Sequence, residues 1–82
     1  MTPGVNDTRT VVRRVVAALV RSDVRDDEGL VSSGLIDSLA VVQLIGRLEQ
    51  ELGISIPTSA VQPDDFDSVD IIMDTLERVA RR

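Results

Sequence analysis

Ser38 carries a hydroxyl that could act as a nucleophile or as a point of attachment. It follows Asp37 and precedes a strongly apolar run in the segment GLIDSLAVVQLI, residues 34–45. A serine nucleophile needs a general base within hydrogen-bond reach. The chain contains neither histidine nor lysine, and the side chains of adjacent residues at a helix start diverge, so Asp37 is not that base. The sequence therefore argues against self-contained hydrolase chemistry, and we expect no catalytic residue.

The acidic residues do not indicate a metal site either. Asp23, Asp26, Asp27 and Glu28 cluster in one segment, but an EF-hand starting at Asp23 would need an oxygen ligand where Arg25 stands and a glycine where Glu28 stands. The absence of cysteine excludes disulfides, thiol catalysis and zinc sites of the usual kind. We expect no metal in this protein.

The position of Ser38 favours a different role. Asp37 is predicted to cap a helix, its carboxylate accepting a hydrogen bond from the amide of Leu39 or Ala40. Ser38 then lies in the first turn after a long loop, where its oxygen is exposed and an attached phosphate would meet the positive end of the helix. These features predict a point of covalent attachment.

Two amphipathic helices are predicted on either side of that loop. The first runs from Thr8 to Arg21, with Asp7 or Thr8 as its cap. The second runs from Ser38 to about Leu52 and ends at Gly53, which readily adopts the left-handed conformation. At 100° per residue, one stripe of the second helix faces the core: Val41, Leu44, Ile45, Leu48 and Leu52.

A third helix is predicted from Ser68 to Ala80, where Asp67 and Asp70 resemble a capping box. A short helical turn is expected over 63–66, with Phe66 as a core residue. The fold class is therefore all-α: a small bundle of three main helices, a short helical turn and a long first loop, in one domain of residues 1–82 with an ordered core of about 7–80. The ends, 1–6 and 81–82, are expected to fray.

The loop over 22–36 has no hydrophobic period, and we expect four apolar residues to anchor it: Leu30, Val31, Leu35 and Ile36. Leu39 and Val42 lie outside the core stripe of the second helix and form a second apolar patch with Gly46 between them. The pattern leaves open whether the loop covers Leu39 or leaves it exposed.

Net charge and composition argue against nucleic acid as a partner. The chain carries −5 at neutral pH and a single aromatic residue, so most of its surface repels nucleic acid and offers little for base stacking. Arg13 and Arg14 interrupt the first apolar stretch, which argues against a signal peptide or membrane span. We expect a soluble, cytoplasmic monomer.

The segment GLVSSGLIDSLAVVQLIGRLEQELGISIP, residues 29–57, resembles the acyl and peptidyl carrier proteins, which bind phosphopantetheine. Their signature is an Asp-Ser-Leu turn that opens a helix after a long loop, and the remaining helices agree with the family over most of the chain. The resemblance implies an acyl-carrier-protein-like bundle. It also implies that a phosphopantetheinyl transferase moves 4'-phosphopantetheine from coenzyme A onto Ser38.

Within that family the chain is most similar to free-standing aminoacyl carriers, including D-alanyl carriers, in residues 30–38, 41–44 and 66–68; Leu39 departs from the methionine common there. The resemblance implies a non-catalytic carrier of an aminoacyl or other acyl thioester in natural-product or cell-wall biosynthesis. Its partners would be an adenylation ligase that loads the acyl group and a downstream acyltransferase or synthase. The alternatives are a polyketide or fatty-acyl carrier and an unmodified helical interaction module.

Partner docking is expected to use a mixed surface. Compared with fatty-acid carriers, Ala40 and Gln43 replace acidic residues that dock partner enzymes. The expected interface therefore combines apolar contacts from Leu39, Val42 and Gly46 with a rim of Asp37, Glu49 and the loop acids. Gln43 lies on the same face.

Overall fold

Three α-helices and two short 3-10 helices form the computed structural model, which describes residues 5–80. The α-helices are α1 (Val5–Val20), α2 (Ser38–Leu52) and α3 (Val69–Ala80), and the 3-10 helices are Thr58–Ala60 and Pro63–Phe66. No strand occurs in the described residues. The predicted all-α class and the helical turn before Asp67 are confirmed, whereas the turn over 58–60 was not foreseen. Most of the segments expected to fray, 1–4 and 81–82, lie outside the described residues.

Helix α1 begins earlier than the sequence predicted. It starts at Val5, so Asp7 and Thr8 lie inside the helix and the prediction that one of them caps it is wrong. Residues 5–8 contain neither proline nor glycine, so the backbone continues without a break. The helix ends at Val20 and is followed by Arg21, whose φ of 62° is left-handed. The Ser22 amide donates to the carbonyl of Ala17 at 3.1 Å.

Helix α2 has the bounds that its end signals predicted. Asp37 is extended, with φ −103° and ψ −176°, and Gly53 is left-handed with φ 64°. The Gly53 amide donates to the carbonyl of Glu49 and so satisfies an otherwise free acceptor at the helix end. Both ends of the helix are therefore fixed by local backbone chemistry.

The core lies where the apolar stripes of the three helices meet. Phe66 has no exposed surface and lies among residues from all three helices, as expected for the single aromatic residue. Val41, Leu44, Ile45 and Leu48 are buried as predicted, while Leu52 is only partly buried. The other buried apolar residues are Val12, Val15, Val16, Leu30, Ile36, Ile56, Val69, Ile72, Leu76 and Val79.

Helices α1 and α2 run antiparallel. Arg14 in the middle of α1 pairs with Glu51 near the end of α2, with 3.2 Å between their nitrogen and oxygen atoms. Leu19, further along α1, lines a surface groove with Gln43 and Gly46, which come earlier in α2. The start of α2 therefore lies toward the end of α1.

The predicted capping box of α3 is wrong by one residue. Helix α3 begins at Val69, and the hydroxyl of Ser68 accepts a hydrogen bond from the Ile71 amide at 3.1 Å, which makes Ser68 the cap. Asp67 instead accepts from amides of the long loop. Asp70 pairs with Arg9 of α1 at 2.7 Å rather than with the helix start.

Candidate functional site

Ser38 is exposed at the first turn of α2, and its hydroxyl makes no hydrogen bond to any other described residue. Asp37 accepts a hydrogen bond from the Ala40 amide through Oδ1 at 2.8 Å, which confirms the predicted cap. The Asp37 carbonyl accepts from the Val41 amide at 2.9 Å and starts the helical ladder. The cap thus fixes the backbone at Ser38, while the hydroxyl of Ser38 is exposed and has no hydrogen-bond partner among the described residues.

This geometry fits a covalently attached phosphate ester. The cap gives the Ala40 amide an acceptor, and the first backbone hydrogen bond of the helix gives one to the Val41 amide. The amides of Ser38 and Leu39 come before these two and lie at the end of the helix where its dipole is positive. Gly34, which is left-handed with φ 83°, has open space where a Cβ would lie. A phosphate at this oxygen would meet favourable electrostatics.

The loop that leads to Ser38 is folded back on itself. Leu30 and Ile36 are buried, as predicted, and the Ile36 amide donates to the Leu30 carbonyl at 3.0 Å. Val31 is partly buried against the core. Leu35, however, is 48% exposed, so the prediction that it anchors the loop is wrong. Neighbouring residues in a tight loop point in different directions, and the sequence contains no period that separates Leu35 from Ile36.

Three large apolar side chains near Ser38 are exposed, and we call Leu35, Leu39 and Val42 the exposed apolar set. Leu39 is 67% and Val42 is 61% exposed, so the loop does not cover Leu39, which settles the alternative that the sequence left open. Exposed large apolar residues that cluster near a candidate attachment site are typical of a protein-interaction surface.

The other predicted interface residues lie along a shallow groove between α1 and α2. Gln43, Gly46 and Glu49 line it together with Leu19, Arg47 and Gln50. Glu49 is half-buried, and its Oε2 accepts from the Ile56 amide at 2.8 Å. The carboxylate of Glu49 is therefore partly used within the fold, unlike the exposed side chain of Gln43.

The loop acids expected at the interface rim are mostly used inside the molecule. Asp26 accepts from Arg9 at 2.6 Å and twice from Arg13 at 2.7 Å. Hydrogen bonds from Arg13 and then Arg9 hold the pKa of Asp26 down, at about 2, against its partial desolvation. Asp27 pairs with the Arg25 side chain, and Glu28 accepts from the Arg25 amide.

Sequence reasoning missed Asp67 as a residue of this region. Its Oδ1 accepts from the amides of Leu30, Val31 and Ser32 at 3.0, 2.7 and 2.8 Å. These amides, that of Ser32 first, lower the pKa of Asp67. No local pattern indicates this contact, because the loop and Asp67 are more than 30 residues apart in the chain.

The described residues contain no group of three or more acidic side chains arranged to hold a metal ion. Within residues 5–80, no helix has the length and apolar character needed to cross a bilayer.

Comparison with known proteins identifies the family. A family model described as "Phosphopantetheine attachment site" matches residues 9–76. D-alanyl carrier protein 1 of Lactiplantibacillus plantarum is 35% identical over 65 residues, which cover 77% of this chain and 81% of that protein. The D-alanyl carrier protein of Streptococcus mutans is 33% identical over 70 residues, covering 83% and 89%, and that of Streptococcus suis is 29% identical over 69, covering 82% and 87%.

The matches extend over most of the bundle rather than over the Asp-Ser-Leu turn alone, and they confirm the resemblance drawn from residues 29–57. They also confirm the carrier class and its prosthetic group, 4'-phosphopantetheine, bound covalently. The chain belongs to the phosphopantetheine attachment family and is a carrier protein.

Proposed function

We propose that Ser38 bears the 4'-phosphopantetheine and that the chain carries an aminoacyl group of the D-alanyl kind for which its relatives are named. The observation that carries the assignment is an exposed serine hydroxyl without a hydrogen-bond partner, presented at a capped helix start. When bound, the prosthetic group supplies a terminal thiol, the acyl-bearing atom that a chain without cysteine lacks.

The residues of this chain have a presenting role in the proposal. Asp37 fixes the backbone at Ser38, and the free amides of the first turn favour the negative charge of the phosphate. With no histidine or lysine in the chain, the base that activates the Ser38 hydroxyl comes from the phosphopantetheinyl transferase. The carrier is therefore non-catalytic in this proposal and is loaded by an adenylation ligase in the cytoplasm.

The same proposal gives a role to the face around Ser38. Leu39 and Val42, with Leu35 beside the cap, make apolar contact with the transferase, the ligase and the downstream acyltransferase or synthase in turn. Gln43, Gly46 and Glu49 extend that contact along the groove. Exposed apolar side chains suit weak, exchangeable docking, which a carrier that visits several enzymes requires.

An intact-mass measurement tests the attachment site. Recombinant chain is incubated with coenzyme A and a broad-specificity phosphopantetheinyl transferase. We expect wild type and Ser55→Ala, which changes another exposed serine, to gain the mass of one phosphopantetheine group, and Ser38→Ala to gain nothing. Modification of Ser38→Ala, or none of wild type by a transferase that modifies a known carrier, contradicts the assignment.

The cargo is tested on the modified protein. With ATP and a D-alanine-activating adenylation ligase, we expect D-alanine to be loaded as a thioester that hydroxylamine releases. Loading by malonyl or fatty-acyl transferases alone, with no aminoacyl transfer, would support the polyketide or fatty-acyl alternative instead.

A further inference from the structure

Asp67 connects two distant parts of the chain at the loop that presents Ser38. It follows the 3-10 helix Pro63–Phe66 and precedes Ser68, the cap of α3. Phe66 on one side has no exposed surface, and Ser68 on the other is buried. The backbone on both sides of Asp67 is therefore held by the core, which makes its carboxylate a rigid anchor.

The loop is built around that carboxylate. Three consecutive amides, those of Leu30, Val31 and Ser32, donate to the same oxygen, Oδ1. The Leu30 amide also lies 2.6 Å from the Asp67 carbonyl oxygen. Consecutive amides that converge on one anion form the backbone arrangement known as a nest, and here the anion is a side chain of the protein itself.

Hydrogen bonds within the rest of the loop connect the residues held by Asp67 to the segment just before Ser38. The Gly34 amide donates to the Val31 carbonyl at 3.1 Å, and the Ile36 amide donates to the Leu30 carbonyl at 3.0 Å. The hydroxyl of Ser33 donates to the Gly29 carbonyl at 2.6 Å. These contacts close the loop between Leu30 and Ile36, two residues before Ser38.

We propose that Asp67 is a positioning residue for phosphopantetheine transfer, because it holds the loop in the one conformation that presents Ser38 to the transferase. The inference rests on the proposed function of Ser38. Asp67 touches neither the hydroxyl nor the prosthetic group, so it acts through residues 30–36.

Loss of the anchor has a defined kinetic signature. Without the carboxylate at position 67, the amides of Val31 and Ser32 lose their acceptor, while the Leu30 amide keeps only the backbone carbonyl of residue 67. Residues 31–36 then sample other conformers. If only a fraction of the carrier molecules has the conformation that the transferase binds, the apparent affinity of the transferase for the carrier falls in proportion to that fraction. The rate at saturating carrier is unchanged. Removal of Asp67 should therefore raise KM for the carrier and leave kcat of the transferase unchanged.

The experiment compares Asp67→Ala, Asp67→Asn and Asp64→Ala as unmodified substrates of one transferase. Asp64 lies three residues earlier, is exposed and makes no side-chain hydrogen bond to the described residues, so Asp64→Ala removes the same charge without removing the anchor. For Asp67→Ala we expect KM to rise about tenfold with kcat within about twofold of wild type. Asp67→Asn keeps one acceptor oxygen and should recover part of the loss, and Asp64→Ala should match wild type.

Amide hydrogen exchange provides a readout independent of activity. In Asp67→Ala, exchange should accelerate at Val31 and Ser32 and stay slow at Leu44 and Ile72 in the core. An unchanged KM overturns the proposal, as does a raised KM accompanied by an equal loss of protection in the core, which would be general destabilisation. If Asp67→Ala does not fold, an unchanged KM for Asp67→Asn overturns it.

The final extent of modification distinguishes a failure of the role of Asp67 from a failure of the assignment of Ser38. All variants at position 67 should finally carry one phosphopantetheine group per chain, because Ser38 is intact in each. Failure of wild type to gain that mass contradicts the assignment of Ser38, whereas a normal KM in the variants contradicts only the role of Asp67.

Discussion

The two apolar faces of α2 differ in what covers them. Leu44 and Leu48 have no exposed surface, while Leu39 and Val42, on the same helix, are 67% and 61% exposed. The side chains are chemically alike, so the difference comes from the neighbours. Helix α1 and the 3-10 helix that contains Phe66 pack against one face, and no described element covers the other. Apolar character on a helix therefore does not by itself identify the core face, and only the fold shows which apolar face is covered.

The largest effect should follow from a charge on the covered face. Leu48→Asp places a carboxylate in an apolar core with no partner, and we expect a loss of more than about 4 kcal/mol of the free energy of unfolding, enough to unfold a marginal domain. Circular dichroism should show the loss of helix at room temperature. A cooperative thermal transition near that of wild type would show that this face is not the core.

The matching change on the exposed face should separate stability from transfer. Leu39→Asp or Val42→Asp buries no charge, and we expect the free energy of unfolding to change by less than about 0.5 kcal/mol. Loss of an apolar contact at the proposed docking surface should reduce kcat/KM for the transferase or ligase about tenfold, the equivalent of about 1.4 kcal/mol.

Ser55→Asp, which introduces the same charge at another exposed position, is the control and should leave both quantities unchanged. Equal losses of thermal stability in Leu39→Asp and Leu48→Asp would remove the distinction between the two faces.

The smallest effect concerns the partly exposed ion pairs that join Arg9 and Arg13 of α1 to Asp26 of the loop. The pKa of Asp26 is held at about 2 by Arg13 and Arg9. A carboxyl whose pKa is lower in the folded state stabilises the fold above its ordinary pKa, and that contribution disappears as the pH falls through the folded value. At neutral pH we expect Asp26→Asn to melt slightly below wild type, since the pairs are solvent-screened.

The difference in melting temperature between wild type and Asp26→Asn should therefore shrink as the pH falls from about 5 toward 2. Scanning calorimetry at several pH values measures it. A difference that stays constant over that interval would show that Arg9 and Arg13 do not hold this carboxylate in solution.

Local signals predicted the parts of the molecule whose bonding partners are close in the sequence. Asp37 caps α2 through the amide three residues later, and Gly53 ends the same helix through the carbonyl of Glu49. The core stripe of α2 was predicted because its period follows from helix geometry alone. The carrier resemblance was also visible in residues 29–57, since the motif lies on one continuous segment.

Contacts between distant segments were not predictable in the same way. Asp67 has the sequence neighbours of a helix cap, yet its partners are Leu30, Val31 and Ser32. Asp26 looked like a free loop acid but is paired with Arg9 and Arg13. In both cases the side chain satisfies groups that only folding brings near it.

The sequence by itself determined the number and approximate extent of the α-helices, how α2 begins and ends, and that the chain has no histidine, lysine or cysteine to supply a base or a thiol. The tertiary structure alone decided that Leu35 and Leu39 remain exposed and that Asp67 anchors the loop before Ser38. Helix ends and stripes depend on residues within a turn or two of each other. Exposure and loop anchoring depend on which remote segments pack together. Asp67 and the loop amides each need a hydrogen-bond partner, but these needs do not specify which partner until the core has formed.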